Sequence, residues 1–479
     1  MSEEPTPSRA SVRRHIALLH PVEAAVALVE AGAGLPRVEE PLTERFEDSG
    51  AVPDYAGGGG GDVPRELAHL PTLSFLCCLG EIPGQDDVPT ERLYLCEAFP
   101  DTRWRPESLA WSTMSDLPGL PTALVEPLRT ALSWRERAVS HASTPAFDPR
   151  LWARGGLSPV LPAFMQPGFT GALAASLADH GAPVRIGEGA SGEGEPLRQL
   201  RSWSLSSVWT SESYVLKLAH PVWNHEGGGT KRLAELEPSH AAAVVAGGSV
   251  ATSGAAPVEW FLQERISPAT DGGEASRVDV ALALARLQRS CAGAQSELLA
   301  LGLPDRGPGA TAEALELVWR SPELNALDER SRGLLPELDA LLRRKLAALE
   351  QMDVPLLLCH GDLHLGNVIA AERGAVIIDW TDASFSWPGV DLVYLIGFRD
   401  PLPETPEVLA AYAAALEGRL PEGVDPELLI RQGMELAHAF QAVSYATIEA
   451  FRPVEVRWEM DGVVRRLVSA MLERWFPET

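Results

Sequence analysis

Residues 358–369 read Leu-Cys-His-Gly-Asp-Leu-His-Leu-Gly-Asn-Val-Ile, and residues 376–382 read Val-Ile-Ile-Asp-Trp-Thr-Asp. The two stretches place a carboxylate at Asp362, an amide at Asn367 and a second carboxylate at Asp379, each near apolar residues typical of strands. The first stretch also contains two glycines, which allow a backbone to turn tightly. We therefore expect a loop that directs its polar side chains into one cleft.

The spacing of these polar groups indicates chemistry on phosphate. Asp362 and Asn367 are separated by the D-x-x-x-x-N interval of a phosphoryl-transfer catalytic loop. In such loops a carboxylate orients the attacking hydroxyl, while an Asn and a second Asp hold magnesium on the phosphates. The β-branched run at 376–378 predicts a buried strand that delivers Asp379 at its end. The sequence predicts His360, Asp362 and Asn367 as the catalytic loop residues, and Asn367 and Asp379 as magnesium ligands.

These motifs resemble the aminoglycoside phosphotransferase and choline kinase family, which shares the protein-kinase-like fold. Residues 360–367 match the H-G-D-x-H-x-x-N loop of that family, and residues 378–383 match its I-D-W/F-x-x-A motif. Residues 388–392 resemble its P-x-x-D-L helix start, in which the Asp is structural. The resemblance covers roughly residues 190–479. It implies an α+β, bilobal fold, ATP and Mg²⁺ as cofactors, and a small-molecule acceptor.

A protein kinase is excluded by the same residues. No Arg stands between His360 and Asp362, and Asp379 is followed by Trp-Thr rather than Phe-Gly. Only 11 residues separate Asp379 from Asp391, which leaves no room for a long activation segment. We expect an enzyme that phosphorylates a hydroxyl or amine of an aminoglycoside, amino sugar or choline-like molecule.

An ATP-binding lobe is predicted upstream of the catalytic loop. The strand Tyr214–Leu218 resembles the V-A-I-K strand of kinases and makes Lys217 the candidate phosphate-contacting lysine. The segment before it, residues 200–210, has alternating apolar residues around a Ser-rich centre. The resemblance implies a hairpin over the phosphates, in which Ser206 and Ser207 supply N–H and hydroxyl donors.

Lys217 requires a glutamate partner on the helix that follows. Glu226 fits the E-x-x-x-T-x-x-L helix of the family, but it is followed directly by Gly227-Gly228-Gly229. Each glycine weakens a helix by roughly 1 kcal/mol relative to Ala. Glu235 is therefore kept as an alternative partner.

The hinge between the lobes is predicted from a strand-like run at residues 258–266. The resemblance implies that adenine hydrogen-bonds to hinge backbone near Gln263 and Arg265. The side chains there do not select a nucleotide, so ATP over GTP is a default.

The amino-acid composition and charge restrict the classes of partner that this protein can bind. The 479-residue chain has a formal charge of −26, which argues against nucleic acid and anionic membranes as partners. No apolar run reaches the about 20 residues that span a bilayer, and the N-terminus lacks a signal-peptide pattern. The five cysteines form no C-x-x-C pair. We expect a cytoplasmic protein, and the Ala, Gly, Pro and Arg content suggests a bacterial source.

Residues 1–145 form a separate problem. Strand-like runs at 14–19, 24–29, 73–79 and 92–98 are divided by Gly- and Pro-rich segments, including Asp54–Gly61, and are followed by Arg103–Leu109 and an apolar helix within Leu120–Leu132. That order resembles a Nudix-like α/β sandwich, but the catalytic carboxylate box is missing. We expect a non-catalytic accessory domain, either Nudix-like or an unrelated α/β domain.

These segments predict three parts: an accessory domain at 1–145, a lead-in helix and ATP lobe at 146–266, and a helical lobe at 267–479. Acceptor specificity is expected from helices of the last part, predicted at 406–416, 426–440 and 462–476. The acceptor-site candidates there are His438, Tyr445, Glu449 and Trp458.

A non-catalytic alternative stays open on the sequence. The glycines beside Glu226 are unusual for a kinase helix, and they favour a nucleotide-sensing pseudokinase fused to a degenerate Nudix-like domain. The intact set of Asp362, Asn367 and Asp379 favours the enzyme. The oligomeric state is left open.

Overall fold

The structure is a computed structural model that describes the chain in separate segments. They are residues 11–19, 26–28, 37–41, 73–84, 88–98, 110–112, 120–133, 160–187, 193–270, 273–396 and 405–477. The strands are β1 Ser11–Leu18, β2 Val26–Leu28, β3 Arg37–Pro41, β4 Leu73–Ile82, β5 Thr90–Ala98, β6 Ala110–Ser112, β7 Val184–Ile186, β8 Glu195–Ser202, β9 Ser206–Thr210, β10 Tyr214–Ala219, β11 Val244–Val250, β12 Val258–Glu264, β13 Leu357–Cys359, β14 Val368–Ala371, β15 Gly374–Ile377 and β16 Ser384–Ser386. The helices are α1 Thr122–Ser133, α2 Phe169–Asp179, α3 His225–Leu236, α4 Arg277–Cys291, α5 Gln295–Ala300, α6 Pro308–Arg320, α7 Glu329–Glu350, α8 Leu392–Ile396, α9 Thr405–Leu416, α10 Pro426–Phe451 and α11 Val463–Trp475. No helix in these segments is long and apolar enough to cross a bilayer.

The N-terminal region contains a mixed four-stranded sheet in the order β3-β1-β5-β4. β1 runs parallel to β5, whereas β3 and β4 run antiparallel to their neighbours. The apolar run of β4 is buried on both faces from Leu73 to Leu79. α1 packs on β4, and a Cβ on Gly80 would lie only 2.9 Å from Leu124 Cδ2. Glycine therefore permits this close helix–strand contact.

The four predicted N-terminal strands overlap β1, β2, β4 and β5, and the predicted helix overlaps α1. β3 was not predicted, because Glu39, Glu40 and Pro41 have low strand propensity and Pro is tolerated only at an edge such as this one. The glycine run Asp54–Gly61 and the segment Arg103–Leu109 lie outside the described residues. The Nudix-like assignment stays a prediction.

The predicted ATP lobe contains a six-stranded sheet in the order β11-β12-β10-β9-β8-β7. All neighbours are antiparallel except β7 and β8, which run parallel. The register places Lys217 of the central strand β10 opposite Phe261 on one side and Val208 on the other. α2, in the predicted lead-in region, packs against the edge strand β11 and the short strand β7.

The three consecutive glycines lie inside α3 rather than interrupting it. A Cβ on Gly227 would lie 3.1 Å from Phe261 Cδ1, and a Cβ on Gly229 would lie 2.9 Å from Leu303 Cδ1. Glycine thus lets the first turn of α3 lie directly against β12 and the turn after α5. Tertiary packing overrides the low helix propensity that cast doubt on Glu226.

The remaining described residues form a mainly helical lobe with two small antiparallel sheets, the pair β13–β16 and the hairpin β14–β15. α4 packs against β13 and β15. In α7 the buried side chains follow a helical repeat of apolar positions, namely Leu338, Leu342, Leu346 and Leu349. Residues 358–369 and 376–382, which contain the two motifs, lie in these strands and in the loops between them.

α10 extends to Phe451, well beyond the predicted end at Phe440. The side chain of Asp425 caps its start by accepting the N–H groups of Glu427 and Leu428. The extension is buried against α6, α7 and α11, so contacts distant in sequence determine its length. This central helix passes directly beside the catalytic loop.

Candidate active site

The loop after β13 is held by a carboxylate from the P-x-x-D-L motif. Asp391 Oδ2 accepts the His360 N–H at 2.8 Å, and Asp391 Oδ1 accepts the Gly361 N–H at 2.8 Å. Gly361 has φ of +87°, and a Cβ there would lie 2.5 Å from the carbonyl oxygen of Asp382. Only glycine fits this position without moving the loop.

His360 is fully buried, and both of its ring nitrogens contact backbone. Nε2 lies 2.9 Å from Ile378 O, and Nδ1 accepts the Asp362 N–H at 3.2 Å. Because one partner only accepts and the other only donates, the ring is the tautomer with its proton on Nε2. The ring also packs on Trp380 with centroids 4.8 Å apart. His360 thus orients the loop and joins it to the second motif.

Asn367 is placed beside Asp379 by the β14–β15 register. Ile378 N–H donates to Asn367 O at 3.0 Å, directly after the pairing of Val368 with Ile377. The Asn367 Nδ2 group donates to Asp362 O at 2.9 Å. This bond assigns the amide oxygen as the atom available to a metal. The two stretches of sequence thereby form one cluster.

Asp379 follows β15 in a left-handed conformation, with φ of +64°. Asp tolerates this conformation better than most residues. Its Oδ1 accepts Lys217 Nζ at 2.5 Å and Thr381 Oγ1 at 2.6 Å. Desolvation of this partly exposed carboxyl raises the pKa of Asp379, but the Lys217 ammonium outweighs that effect and holds the pKa well below its usual range. The carboxylate is ionised and ready to bind a cation.

Lys217 is the centre of the cluster. Its buried Nζ lies 2.7 Å from Glu226 Oε1 and 2.6 Å from Thr381 Oγ1, in addition to its contact with Asp379. Burial lowers the pKa of Lys217, but the Asp379 and Glu226 carboxylates outweigh it and raise the pKa above its ordinary value. Glu235 instead pairs with Arg232 on the solvent side of α3. Glu226 is the residue that the fold places against Lys217.

Residues 196–426, which contain all of these groups, match the phosphotransferase enzyme family. The match covers 231 of the 479 residues. The match supports the phosphotransferase that the catalytic-loop spacing predicts, and the predicted α+β fold class is confirmed. The match ends at the first residue of α10, so α10, α11 and the N-terminal sheet lie outside it.

Solved structures with similar folds include phosphotransferases. The GDP and kanamycin complex of APH(2'')-IIia is 16% identical, with 64% of this chain and 97% of that chain covered and a TM-score of 0.42. A microcompartment-associated aminopropanol kinase is 17% identical, with 59% and 93% covered and a TM-score of 0.44. A choline/ethanolamine kinase family protein from Mesorhizobium loti is 17% identical, with 59% and 89% covered and a TM-score of 0.39. No curated protein matches the sequence.

The hairpin of this protein turns earlier than the sequence suggested. Its turn comprises residues 203–205, so Ser206 and Ser207 begin β9. Both are buried, and their hydroxyl oxygens accept indole N–H groups from Trp203 at 2.8 Å and Trp209 at 3.0 Å. The hydroxyl oxygens of both serines thus hold tryptophan side chains, and their role as phosphate donors stays a prediction.

The hinge residues lie at the end of β12. Gln263 pairs in register with Val215 and Val244. The Arg265 N–H donates to Ser213 O at 2.8 Å, and its guanidinium donates to Ser211 O at 3.0 Å. The Arg265 N–H is therefore occupied, and adenine at this hinge needs a different backbone donor.

Thr381 and His225 belong to the cluster but were missed in the sequence. Thr381 Oγ1 bridges Lys217 and Asp379, while Thr381 O lies 3.2 Å from His225 Nε2 at the start of α3. Burial lowers the pKa of His225 to about 4, so it is neutral at pH 7. The adjacency of Thr381 to Asp379 was the only available signal.

A second missed group lies beneath the catalytic loop. Gln441 of α10 donates to Gly361 O at 2.5 Å. Arg306 is buried, lies over the Phe440 ring at 3.4 Å and donates to Ser444 Oγ at 2.7 Å. Burial, followed by repulsion from Asp362, raises the pKa of Asp382 to about 7. Asp382 lies within the second motif, but no short motif marks Gln441 or Arg306, because they reach the loop only through tertiary packing.

A cavity of about 270 Å³ lies along α10. Its lining residues are Glu323, Tyr445, Glu449, Arg452, Arg457, Trp458, Met460, Asp461 and Val464. Three of the four predicted acceptor-site candidates are among them, whereas His438 is buried elsewhere on α10. Burial, and then the Asp362 and Asp382 carboxylates, raise the pKa of the Tyr445 phenol on this wall of the cavity.

Proposed function

We propose that this protein transfers the γ-phosphoryl group of Mg-ATP to a hydroxyl or amine of a small amino sugar, aminoglycoside or choline-like acceptor. One observation carries the proposal: Lys217 Nζ lies 2.7 Å from Glu226 and 2.5 Å from Asp379. A lysine fixed by a helical glutamate beside a carboxylate that can hold magnesium is what phosphate positioning requires.

Asp362 is the proposed group for the acceptor. Its side chain is 41% exposed, so an acceptor can reach it. The acceptor oxygen forms a bond to the γ-phosphorus while the bond from that phosphorus to the bridging oxygen of ADP breaks. The acceptor proton passes to the Asp362 carboxylate. The bonds from Asp391 and Gln441 to this loop hold Asp362 in position.

The residues present fit magnesium. Asp379 offers a carboxylate that is 46% exposed, and Asn367 offers an amide oxygen on the neighbouring strand. Hard oxygen donors of this kind suit Mg²⁺, which keeps waters and phosphate oxygens as its other ligands. When bound, the ion neutralises phosphate charge. The described residues contain no group of three or more His, Cys, Asp or Glu that would form an all-protein site.

The cavity along α10 is proposed as the acceptor site. It carries three carboxylates, from Glu323, Glu449 and Asp461, together with the aromatic side chains of Tyr445 and Trp458. Arg452, one of its two cations, is already paired with Glu459. The remaining balance favours a cationic acceptor, since carboxylates and aromatic faces both attract ammonium groups. Its volume is near the lower end of ligand pockets, which run from about 300 to 1,000 Å³, so a small acceptor fits best.

The fold also bears on the alternative that the protein is a non-catalytic pseudokinase. The glycines that favoured a pseudokinase lie within α3, and Glu226 contacts Lys217, so no described contact favours a degenerate site.

We retain the division into an accessory domain at 1–145, an ATP lobe at 146–266 and a helical lobe at 267–479 as part of the proposal.

The test is ADP release from Mg-ATP across aminoglycosides, amino sugars, choline, sugars and hydroxy-amino acids. We expect acceptor-dependent release by the wild type and none by Asp379→Asn. Asp353→Asn is the matched control, because Asp353 is the other non-glycine residue with positive φ among those described and is exposed on the surface. Wild-type rates in Asp379→Asn, or equal losses in both variants, would contradict the proposal.

A further inference from the structure

The turn of the β8–β9 hairpin is buried against the C-terminal part of the chain. Ser204, at the centre of the turn, is fully buried, and Leu205 is 8% exposed. The Ser204 hydroxyl donates to the Glu459 carboxylate, in the short 3-10 segment that follows α10. Another part of the chain therefore holds this turn.

The contact with Ser204 is one bond of a buried ion pair. Arg452 Nη1 lies 3.3 Å from Glu459 Oε2 and 3.5 Å from Ser204 Oγ. Its guanidinium also donates to Val456 O at 3.1 Å and to Arg457 O at 2.9 Å. A buried pair is stable only when hydrogen bonds satisfy its remaining groups. Ser204 is one of the groups that do so, and it comes from the opposite lobe.

The N-terminal sheet holds the same structure from the other side. The Gln199 side chain on β8 donates to Phe75 O at 2.8 Å and accepts the Phe75 N–H at 2.8 Å. Ser202 Oγ donates to Leu76 O at 2.9 Å. Because β4 is an edge strand of its sheet, these side chains pair backbone groups that would otherwise lack strand partners. The hairpin is thus bonded to the N-terminal sheet just before its turn.

The 3-10 segment completes the connection. Trp458 packs on a cluster of apolar side chains in the N-terminal sheet, including Phe75 and Tyr94. Trp458 is separated from Glu459 by one peptide bond, and it lines the proposed acceptor cavity together with Arg452. The N-terminal sheet, the hairpin turn and the acceptor cavity therefore meet at the Arg452–Glu459 pair.

We infer that Ser204, Arg452 and Glu459 are positioning residues that fix the phosphate-binding hairpin, and that the N-terminal sheet holds them in place through Trp458. This inference rests on the proposed function. It gives the accessory region a role in nucleotide binding without chemistry of its own. It also connects residues outside the family match with a hairpin inside it.

The test measures Mg-ATP binding to the full chain by calorimetry, without an acceptor. Ser204→Ala removes the hydroxyl alone, and we expect the Kd to rise by up to about tenfold, because a hairpin that is less often in its binding conformation lowers the apparent affinity. Ser290→Ala is the matched control, because Ser290 also donates to a glutamate, Glu237, at 3.0 Å but far from the hairpin. Its Kd should equal that of the wild type.

Trp458 provides the second arm. Trp458→Ala removes the contact with the N-terminal sheet and should weaken Mg-ATP binding, while Trp458→Phe keeps an aromatic ring there and should restore it. Wild-type affinity in both Ser204→Ala and Trp458→Ala would overturn the inference. Asp379→Asn separates the two claims: if it alone loses metal-dependent binding, the proposed function stands and the positioning role falls. If the wild type does not bind Mg-ATP, both fall.

Discussion

Lys217 Nζ lies 2.5 Å from Asp379 Oδ1, although 162 positions separate the two residues in the chain. One comes from the central strand of the ATP lobe and the other from the hairpin after the catalytic loop. Their contact joins the two lobes at the point where phosphates are expected. In the proposed function, Lys217 would hold nucleotide phosphates, and Asp379 would be one of the residues that hold magnesium.

Lys217→Met tests how far this cluster depends on its cation. The substitution leaves Glu226 buried without its partner, and breaking such a pair costs about 3–5 kcal/mol. We expect a loss of that order in the free energy of unfolding, measured by urea titration. Adding Glu226→Gln should recover part of it, because no buried charge then lacks a partner. A double variant less stable than Lys217→Met would contradict the assigned pairing.

Two adjacent glycines of α3 are expected to respond in opposite ways to substitution by alanine. A Cβ on Gly228 would lie 3.7 Å from Leu301, an ordinary contact, so Gly228→Ala should stabilise the protein by up to about 1 kcal/mol through helix propensity. A Cβ on Gly227 would press on Phe261 at 3.1 Å. Gly227→Ala should displace Glu226 and weaken Mg-ATP binding. Denaturation and calorimetry compare the pair, and identical behaviour would show that close packing is not the reason for these glycines.

Thr381 is expected to position Lys217 and Asp379. Thr381→Val keeps the shape but removes the hydroxyl that contacts both charged groups. We expect kcat to fall about tenfold, the effect of losing one charge-assisted hydrogen bond. Thr381→Ser keeps the hydroxyl and should restore the rate. Equal rates in the Ser and Val variants would assign Thr381 a packing role only.

Asp382 predicts a pH dependence of stability. Its pKa is raised to about 7 in the fold, against about 4 in an unfolded chain. Between these values the folded state binds more protons, so the stability contributed by this group falls as pH rises from about 4 to 7. Asp382→Asn removes the effect. Its Tm should exceed that of the wild type at pH 8 and approach it at pH 4.5, measured without metal. A Tm difference independent of pH would refute the assignment.

The parts of the site that were predictable are those encoded within short stretches. Asp362 and Asn367 lie five positions apart in one loop, so their spacing is visible in the sequence. The strand β10 is predicted by the apolar residues on both sides of Lys217. The turn at residues 203–205 was misplaced by a few positions because serines are equally common in turns and strand ends. Gln441 could not be assigned, since its contact with Gly361 depends on the packing of α10.

The same distinction applies to the N-terminal region. Its strands follow from apolar runs, but the bonds between Gln199 and Phe75 join residues 124 positions apart. Gln199 lies on β8, whose polar residues suggest exposure to solvent, and nothing in its local sequence indicates Phe75 as a partner. The Arg452–Glu459 pair could not be predicted either, because its contact with Ser204 joins residues that are far apart in the sequence.

The most direct test of the account is phosphoryl transfer by Asp362→Asn beside a binding measurement on the same protein. With an acceptor identified in the ADP-release panel, we expect kcat to fall by about 10²–10⁴-fold, the usual contribution of a general base, while the Kd for Mg-ATP stays that of the wild type. That result would place Asp362 on the acceptor. A kcat within about threefold of the wild type would contradict its catalytic role, and with it the central claim for this site.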